Sequence, residues 1–177
     1  THAAVAGQRR HDLREEVAGP VRAPAVPVQA RHFEQEPADD QIGGKLGLSL
    51  GGEMAMWLAA MDERVAATVS SGYLTTMDQM EIGHCMCWKF GGLRELVDFP
   101  DVYGLIAPRP LLVETGTEDH LNGASVLANV QSQMQTIHKA YRLLDATEML
   151  KHDVFEGEHR WNGVEAIPWM MHHLAGG

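Results

Sequence analysis

Ser49 lies in the run Gly47-Leu48-Ser49-Leu50-Gly51, a G-x-S-x-G spacing that can expose a hydroxyl on a tight strand-to-helix turn. A serine at such a turn takes a strained backbone conformation. The residues two places before and after it approach closely enough for side chains to collide, which Gly47 and Gly51 are expected to relieve. Gly52 is expected to let the following helix pack close to the sheet. The same letters could form a plain glycine-rich turn or a phosphate cradle. A P-loop needs a Lys-Ser/Thr ending and a dinucleotide site needs a third spaced glycine, and this run has neither.

A serine hydroxyl is a weak nucleophile until a base takes its proton and an acid orients that base. Candidates follow in that order along the chain: Asp119 in Gly116-Thr117-Glu118-Asp119 and His159 in Gly157-Glu158-His159-Arg160-Trp161. Asp119 could instead cap a helix or shape a turn, and Glu118 is the alternative acid. Of the ten histidines, position selects His159. His152 is expected inside a strand, His172 and His173 late in the last helix, and His84 in an irregular stretch. Only a neutral imidazole accepts the serine proton, so a rate that depends on it is expected to rise with pH. His84, Cys85 and Cys87 offer three close soft ligands, but without C-x-x-C spacing or a clear fourth ligand. The expectation there is structural packing, with no metal and no cofactor.

Such residues act only if a scaffold brings them to one place. From Gln41 onward, short apolar runs alternate with amphipathic helical stretches, the rhythm of parallel βαβ units. Strands are expected over 45–48, 65–69, 110–115 and 150–156. The first helix would carry Met54, Leu58 and Met61 on one apolar face beside Ala55 and Ala59. A second would carry Val126, Val130, Met134, Ile137 and Tyr141. A last helix from about 163 to 174 would carry Val164, Ile167, Met171 and Leu174, with Pro168 kinking it or delaying its start. Residues 72–100 form a long excursion with Met77, Met80, Met86, Trp88 and Phe90, either satellite core or a lid. The fold class is α/β, a mostly parallel sheet flanked by helices. Ser49, Asp119 and His159 each follow a strand, at the edge where open α/β sheets bind ligands.

Residues 1–40 differ from the rest, with Pro20, Pro24, Pro27 and Pro37 and no sustained period, and are expected to be an atypical, irregular leader to a domain over 41–177. A length of 177 residues predicts one domain, and 45% hydrophobic with 21% charged residues is globular composition rather than disorder. Fourteen basic against 24 acidic residues give a net charge of -10, which repels polyanions and argues against a nucleic-acid partner. Two cysteines one residue apart give no disulfide framework. No apolar run approaches the roughly 20 residues that span a bilayer, so no membrane partner is expected. Arg9, Arg10, Asp12, Arg14, Glu15 and Glu16 stand where a signal peptide would be apolar, and a cytoplasmic location is the expectation.

Four pieces combine into a more specific pattern. They are Gly47-Leu48-Ser49-Leu50-Gly51-Gly52-Glu53-Met54, His84-Cys85-Met86-Cys87-Trp88, Tyr103-Gly104-Leu105-Ile106-Ala107-Pro108-Arg109-Pro110-Leu111-Leu112, and Phe155-Glu156-Gly157-Glu158-His159-Arg160-Trp161. From about residue 42 to 174 the sequence resembles the carboxyl half of an α/β-hydrolase, similar to the dienelactone hydrolase and acetyl xylan esterase-like group. The resemblance implies a metal-free carboxylic ester hydrolase acting on a small-molecule ester, with Ser49 as nucleophile, Asp119 as acid and His159 as base. It also implies that the backbone N–H of Leu50 is one oxyanion donor.

Members of that fold place four strands before the nucleophile, where this chain has about forty atypical residues and no HGGG-like segment for a second donor. The resemblance is therefore to a truncated hydrolase whose N-terminal strands are missing and whose leader is replaced or out of register. Losing an oxyanion donor costs about 10²–10³ in rate. The alternative is thus a catalytically impaired fragment acting as an interaction module or without function. The strand before Ser49 would then be a sheet edge, poorly covered by a leader containing Pro20, Pro24 and Pro27, and self-association through it is expected.

Overall fold

The computed structural model describes residues 41–82 and 84–175, so the leader expected over 1–40 lies outside the described residues. Four strands, β1 (Gly44–Leu48), β2 (Ala67–Ser71), β3 (Leu111–Gly116) and β4 (Leu150–Phe155), form one all-parallel sheet in the order β1-β2-β3-β4. Helices α1 (Leu50–Met61), α2 (Met77–Met80), α3 (Leu93–Leu96), α4 (Phe99–Gly104), α5 (Val126–Leu143) and α6 (Ala166–Ala175) complete the order. The α/β reading holds, with helices on both faces.

The second strand runs two residues later than the sequence suggests. Pairing Gly44 with Ala67 brings Ser71 level with Leu48, and a shift of two keeps every side chain on its expected face. Val69 and Ala67 of β2 pack with Leu112 of β3 against Ala166 and Met170 of α6. On the other face Leu111 and Val113 meet Met56 and Ala59 of α1, Tyr103 of α4, and Val130, Ile137 and Tyr141 of α5. The 3.6-residue stripe of α5 is thus the buried face the sequence predicts, with Met134 at its margin.

In α1 and α6 the expected faces are reversed. The buried side of α1 is Gly52, Glu53, Ala55, Met56 and Ala59, while Met54 and Met61 are 51% and 77% exposed. The cause is how closely the helix approaches the sheet. A Cβ on Gly52 would lie 2.9 Å from the Ser71 carbonyl oxygen and 3.0 Å from Ser70 Oγ, so small residues must face inward and the bulky stripe turns outward. In α6 the inward residues are Ala166 and Met170, and Val164, Ile167, Met171 and Leu174 all expose substantial surface. That helix starts at Ala166, later than the periodicity alone indicates, with Pro168 in its first turn, where a missing N–H is tolerated.

The excursion between β2 and β3 contains three short helices and contributes several side chains to the core. Tyr73, Met77, Met80, Trp88 and Phe99 are buried, and the Phe99 ring meets Tyr73 and Trp88 edge-on at 5.2 and 5.3 Å. Met86 and Phe90 stay exposed. Arg109 ends this segment by donating to the carbonyls of Ala59 (2.6 Å), Asp62 (3.1 Å) and Val65 (3.1 Å), a cation at the carboxyl end of α1. It locks α1 to the start of β2.

Candidate functional site

Ser49 is the single residue between β1 and α1, and its backbone sits at φ 57°, ψ -120°. A positive φ is rare for a residue with a side chain and costs about 1–3 kcal/mol, so the surroundings must impose it. The Ser49 N–H donates to the Ser71 carbonyl (2.9 Å), and its own carbonyl accepts from Glu53 N–H (2.9 Å). A Cβ on Gly47 would run into the Gly51 backbone, so glycine at 47 is required by contact. The expectation for Gly51 is not met among the described residues, because a Cβ there would meet nothing within 4 Å. The crowding is one-sided: Gly51's backbone fills the space beside Gly47, while Gly51's own Cβ direction points away from the described residues.

Ser70 holds this turn from beneath. Its hydroxyl donates to the Gly52 carbonyl (3.1 Å), which leaves Tyr103 Oη to donate to Ser70 Oγ at 2.6 Å. Burial pushes the Tyr103 hydroxyl well above the usual tyrosine range, so it stays protonated and able to donate. The backbone N–H of Leu50, at the first position of α1, has no acceptor among the described residues and lies at the positive end of the helix.

Asp119 and His159 come together from loops after β3 and β4. Asp119 Oδ2 lies 3.0 Å from His159 Nδ1, with Asp119 1% exposed and the His159 side chain 16% exposed. The other oxygen, Oδ1, accepts from Leu121 N–H at 3.0 Å, so Asp119 caps the short turn after β3 and holds the imidazole at once. Glu118 is exposed and its backbone N–H donates to Gly157 O at 2.8 Å, so the carboxylate facing His159 is that of Asp119. The Ser49 hydroxyl and His159 Nε2 make no hydrogen bond among the described residues.

Gly72, which sequence reasoning missed, lies between these groups. It follows β2 directly, next to Ser71, whose carbonyl holds Ser49. Its φ is +58°, and a Cβ there would lie 2.9 Å from His159 Cε1, 3.0 Å from Nδ1 and 3.1 Å from Asp119 Oδ2. The imidazole therefore rests against Gly72. Gly72→Ala is expected to displace the ring, and in a hydrolysis assay to lower the rate by about 10²-fold while the chain still melts cooperatively. An unchanged rate would remove Gly72 from the site. Its only sequence signal is a glycine directly after a strand.

The other histidines divide as position suggests. His152 lies in β4 with Nε2 3.0 Å from Thr115 Oγ1, and burial pushes its imidazole below the usual histidine range. His120 is exposed, and its ring meets that of His159 edge-on at 5.4 Å, a second imidazole beside the Asp119–His159 pair. Among the described residues no group of three His, Cys, Asp or Glu side chains could hold a metal ion. Cys85 and Cys87 are free, exposed thiols. No described helix is long and apolar enough to cross a membrane.

No family model matches the chain. Over 132 residues it is 25% identical to "Putative hydrolase YtaP" of Bacillus subtilis (strain 168), covering 70% of this chain and 44% of that protein. The fold is similar to that of a carbohydrate esterase family 15 glucuronoyl esterase from Caldicellulosiruptor kristjansonii, with a TM-score of 0.60 and 17% identity over 75% of this chain and 43% of that one. It is equally similar to the glucuronoyl esterase catalytic domain from Hypocrea jecorina, with a TM-score of 0.60 and 18% identity over 74% of this chain and 44% of that one. The chain spans less than half the length of these proteins. Its parallel sheet and flanking helices match part of the fold of those two esterases.

Proposed function

We propose that the chain hydrolyses carboxylic esters of small molecules through an acyl-enzyme formed on Ser49. Ser49 Oγ attacks the ester carbonyl carbon while His159 Nε2 takes its proton. Asp119 holds Nδ1 and stabilises the imidazolium. The C–O bond to the alcohol then breaks as His159 returns the proton to the leaving oxygen. Water, deprotonated by the same nitrogen, releases the acid from Ser49. The Leu50 N–H stabilises the oxyanion, a role supported by its place at the positive end of α1.

The observation that carries this reading is the buried Asp119 paired with His159, whose ring rests on Gly72, one strand from a serine held at positive φ. Structural plainness would not require that strain. A Ser49 hydroxyl without a partner among the described residues is compatible with catalysis, since catalytic hydrogen bonds often tighten only when substrate binds. The similarity to glucuronoyl esterases supports ester chemistry and leaves the acyl and alcohol groups open. Release of p-nitrophenol from short-chain p-nitrophenyl esters, compared with the Ser49→Ala chain, tests the proposal. Equal rates in the two would refute it.

The reading extends to assembly. Among the described residues β1 has a strand on one side only, with Leu46 51% exposed and the outward stripes of α1 and α6 beside it. Unpaired apolar edges recruit partners, and a second copy of the chain is the expected one. Light scattering on the eluted protein should give a mass above the monomer, and Leu46→Lys should lower it. A monodisperse monomer would contradict self-association through β1.

A further inference from the structure

Glu114 lies in the middle of β3, fully buried, with Ser71 and Asp153 as its register partners on the two neighbouring strands. No cation pairs with it among the described residues. A buried carboxylate is costly unless hydrogen-bonded, and an apolar side chain of similar size would fill a strand interior without that cost. What Glu114 does instead is accept two backbone N–H groups, from Gly163 on Oε1 (2.7 Å) and from Asn162 on Oε2 (3.4 Å). Gly163 has a φ of +74°, so this turn is a tight one.

Those donors close the loop that carries His159. The loop's other end is tied to the segment carrying Asp119: Glu118 N–H donates to Gly157 O at 2.8 Å, and Gly157 N–H donates to Thr117 Oγ1 at 3.3 Å. His159 therefore sits inside a span, 157–163, pinned at both ends to β3 and its outgoing loop. We propose that Glu114 is a positioning residue. It fixes the loop so that Nδ1 of His159 meets Asp119, and it touches neither substrate nor reacting atoms. One strand thus delivers the acid and anchors the base. The proposal rests on reading His159 as the base, and it is tested by measurements that do not need activity.

In the unaltered chain, amide hydrogen exchange should be at least about tenfold slower at Gly163 than at Glu158, whose N–H has no acceptor among the described residues. Comparable exchange at the two would overturn the anchor. Glu114→Ala removes both acceptor oxygens, and should weaken the low-field proton resonance of the His159 Nδ1–H···Asp119 bond. It should also lower kcat by about 10²-fold with KM changed less than about threefold. Glu114→Gln keeps one acceptor and should restore the resonance and most of kcat. A folded Glu114→Ala chain with the resonance and kcat unchanged would overturn the proposal. If that variant does not fold, a Glu114→Gln chain that folds but lacks the resonance would do so. Should Ser49→Ala leave hydrolysis intact, the esterase reading falls, while exchange and the resonance still decide the role of Glu114.

Discussion

Ser49→Ala is expected to lower ester hydrolysis by about 10⁴-fold or more, and His159→Ala by a similar factor, because a nucleophile and its base act as one unit. The double variant should then be scarcely slower than either single one. The structural reason lies in how each residue is held. Ser49 is fixed by the Ser71 carbonyl and the strained turn, and His159 by Asp119 and Gly72, so among the described residues no neighbouring hydroxyl or imidazole is held in the same way. His120 touches the His159 ring but has no carboxylate to orient it among the described residues, and it should not rescue His159→Ala. The check is the steady-state rate on a short-chain p-nitrophenyl ester, with a thermal melt of each variant. Full activity in either single variant would end the assignment.

Asp119→Asn should cost about 10⁴ in kcat, for a different reason. Asp119 Oδ1 accepts from Leu121 N–H and Oδ2 faces His159 Nδ1, so both oxygens are committed to donors. An amide can keep only one of these roles. If its oxygen keeps the cap, its NH₂ faces Nδ1, the histidine must carry its proton on Nε2, and the nitrogen that should accept from Ser49 is blocked. Turning the amide round leaves the Leu121 N–H facing a second donor. The fold should survive with a modest loss of stability, and Asp119→Glu should not restore the rate, because the longer side chain cannot satisfy both partners. Retention of wild-type kcat in Asp119→Asn would show that His159 is oriented by something else.

The parts of the site that could be read in the sequence are those written in local chemistry. Ser49 announces itself by its flanking glycines, and Asp119 and His159 by following predicted strands in the right order. Asp119's two readings, cap and acid, are compatible, since Oδ1 accepts from Leu121 N–H while Oδ2 faces His159 Nδ1. The buried stripe of α5 was legible because its opposite face is polar and only one orientation buries apolar area. Helices α1 and α6 carry apolar residues on two sides, so periodicity alone cannot choose between Met54-Leu58-Met61 and Ala55-Met56-Ala59. The close approach at Gly52 decides it, and that is a contact between elements. Gly72, Ser70 and Glu114 were missed for the same reason: each acts across strands, on residues 18 to 87 positions away. The excursion was ambiguous because Met77, Met80 and Trp88 follow no regular period, though the fold buries them.

The most direct test of Ser49 as an activated nucleophile is mass spectrometry after exposure to a fluorophosphonate, which phosphonylates a serine only when a base removes its proton as the fluoride leaves. The expected result is one adduct per chain, on the peptide that contains Ser49. It should be absent in Ser49→Ala and strongly slowed in His159→Ala and Asp119→Asn. An unmodified Ser49 in the folded chain, or an adduct that forms equally fast without His159, would contradict it.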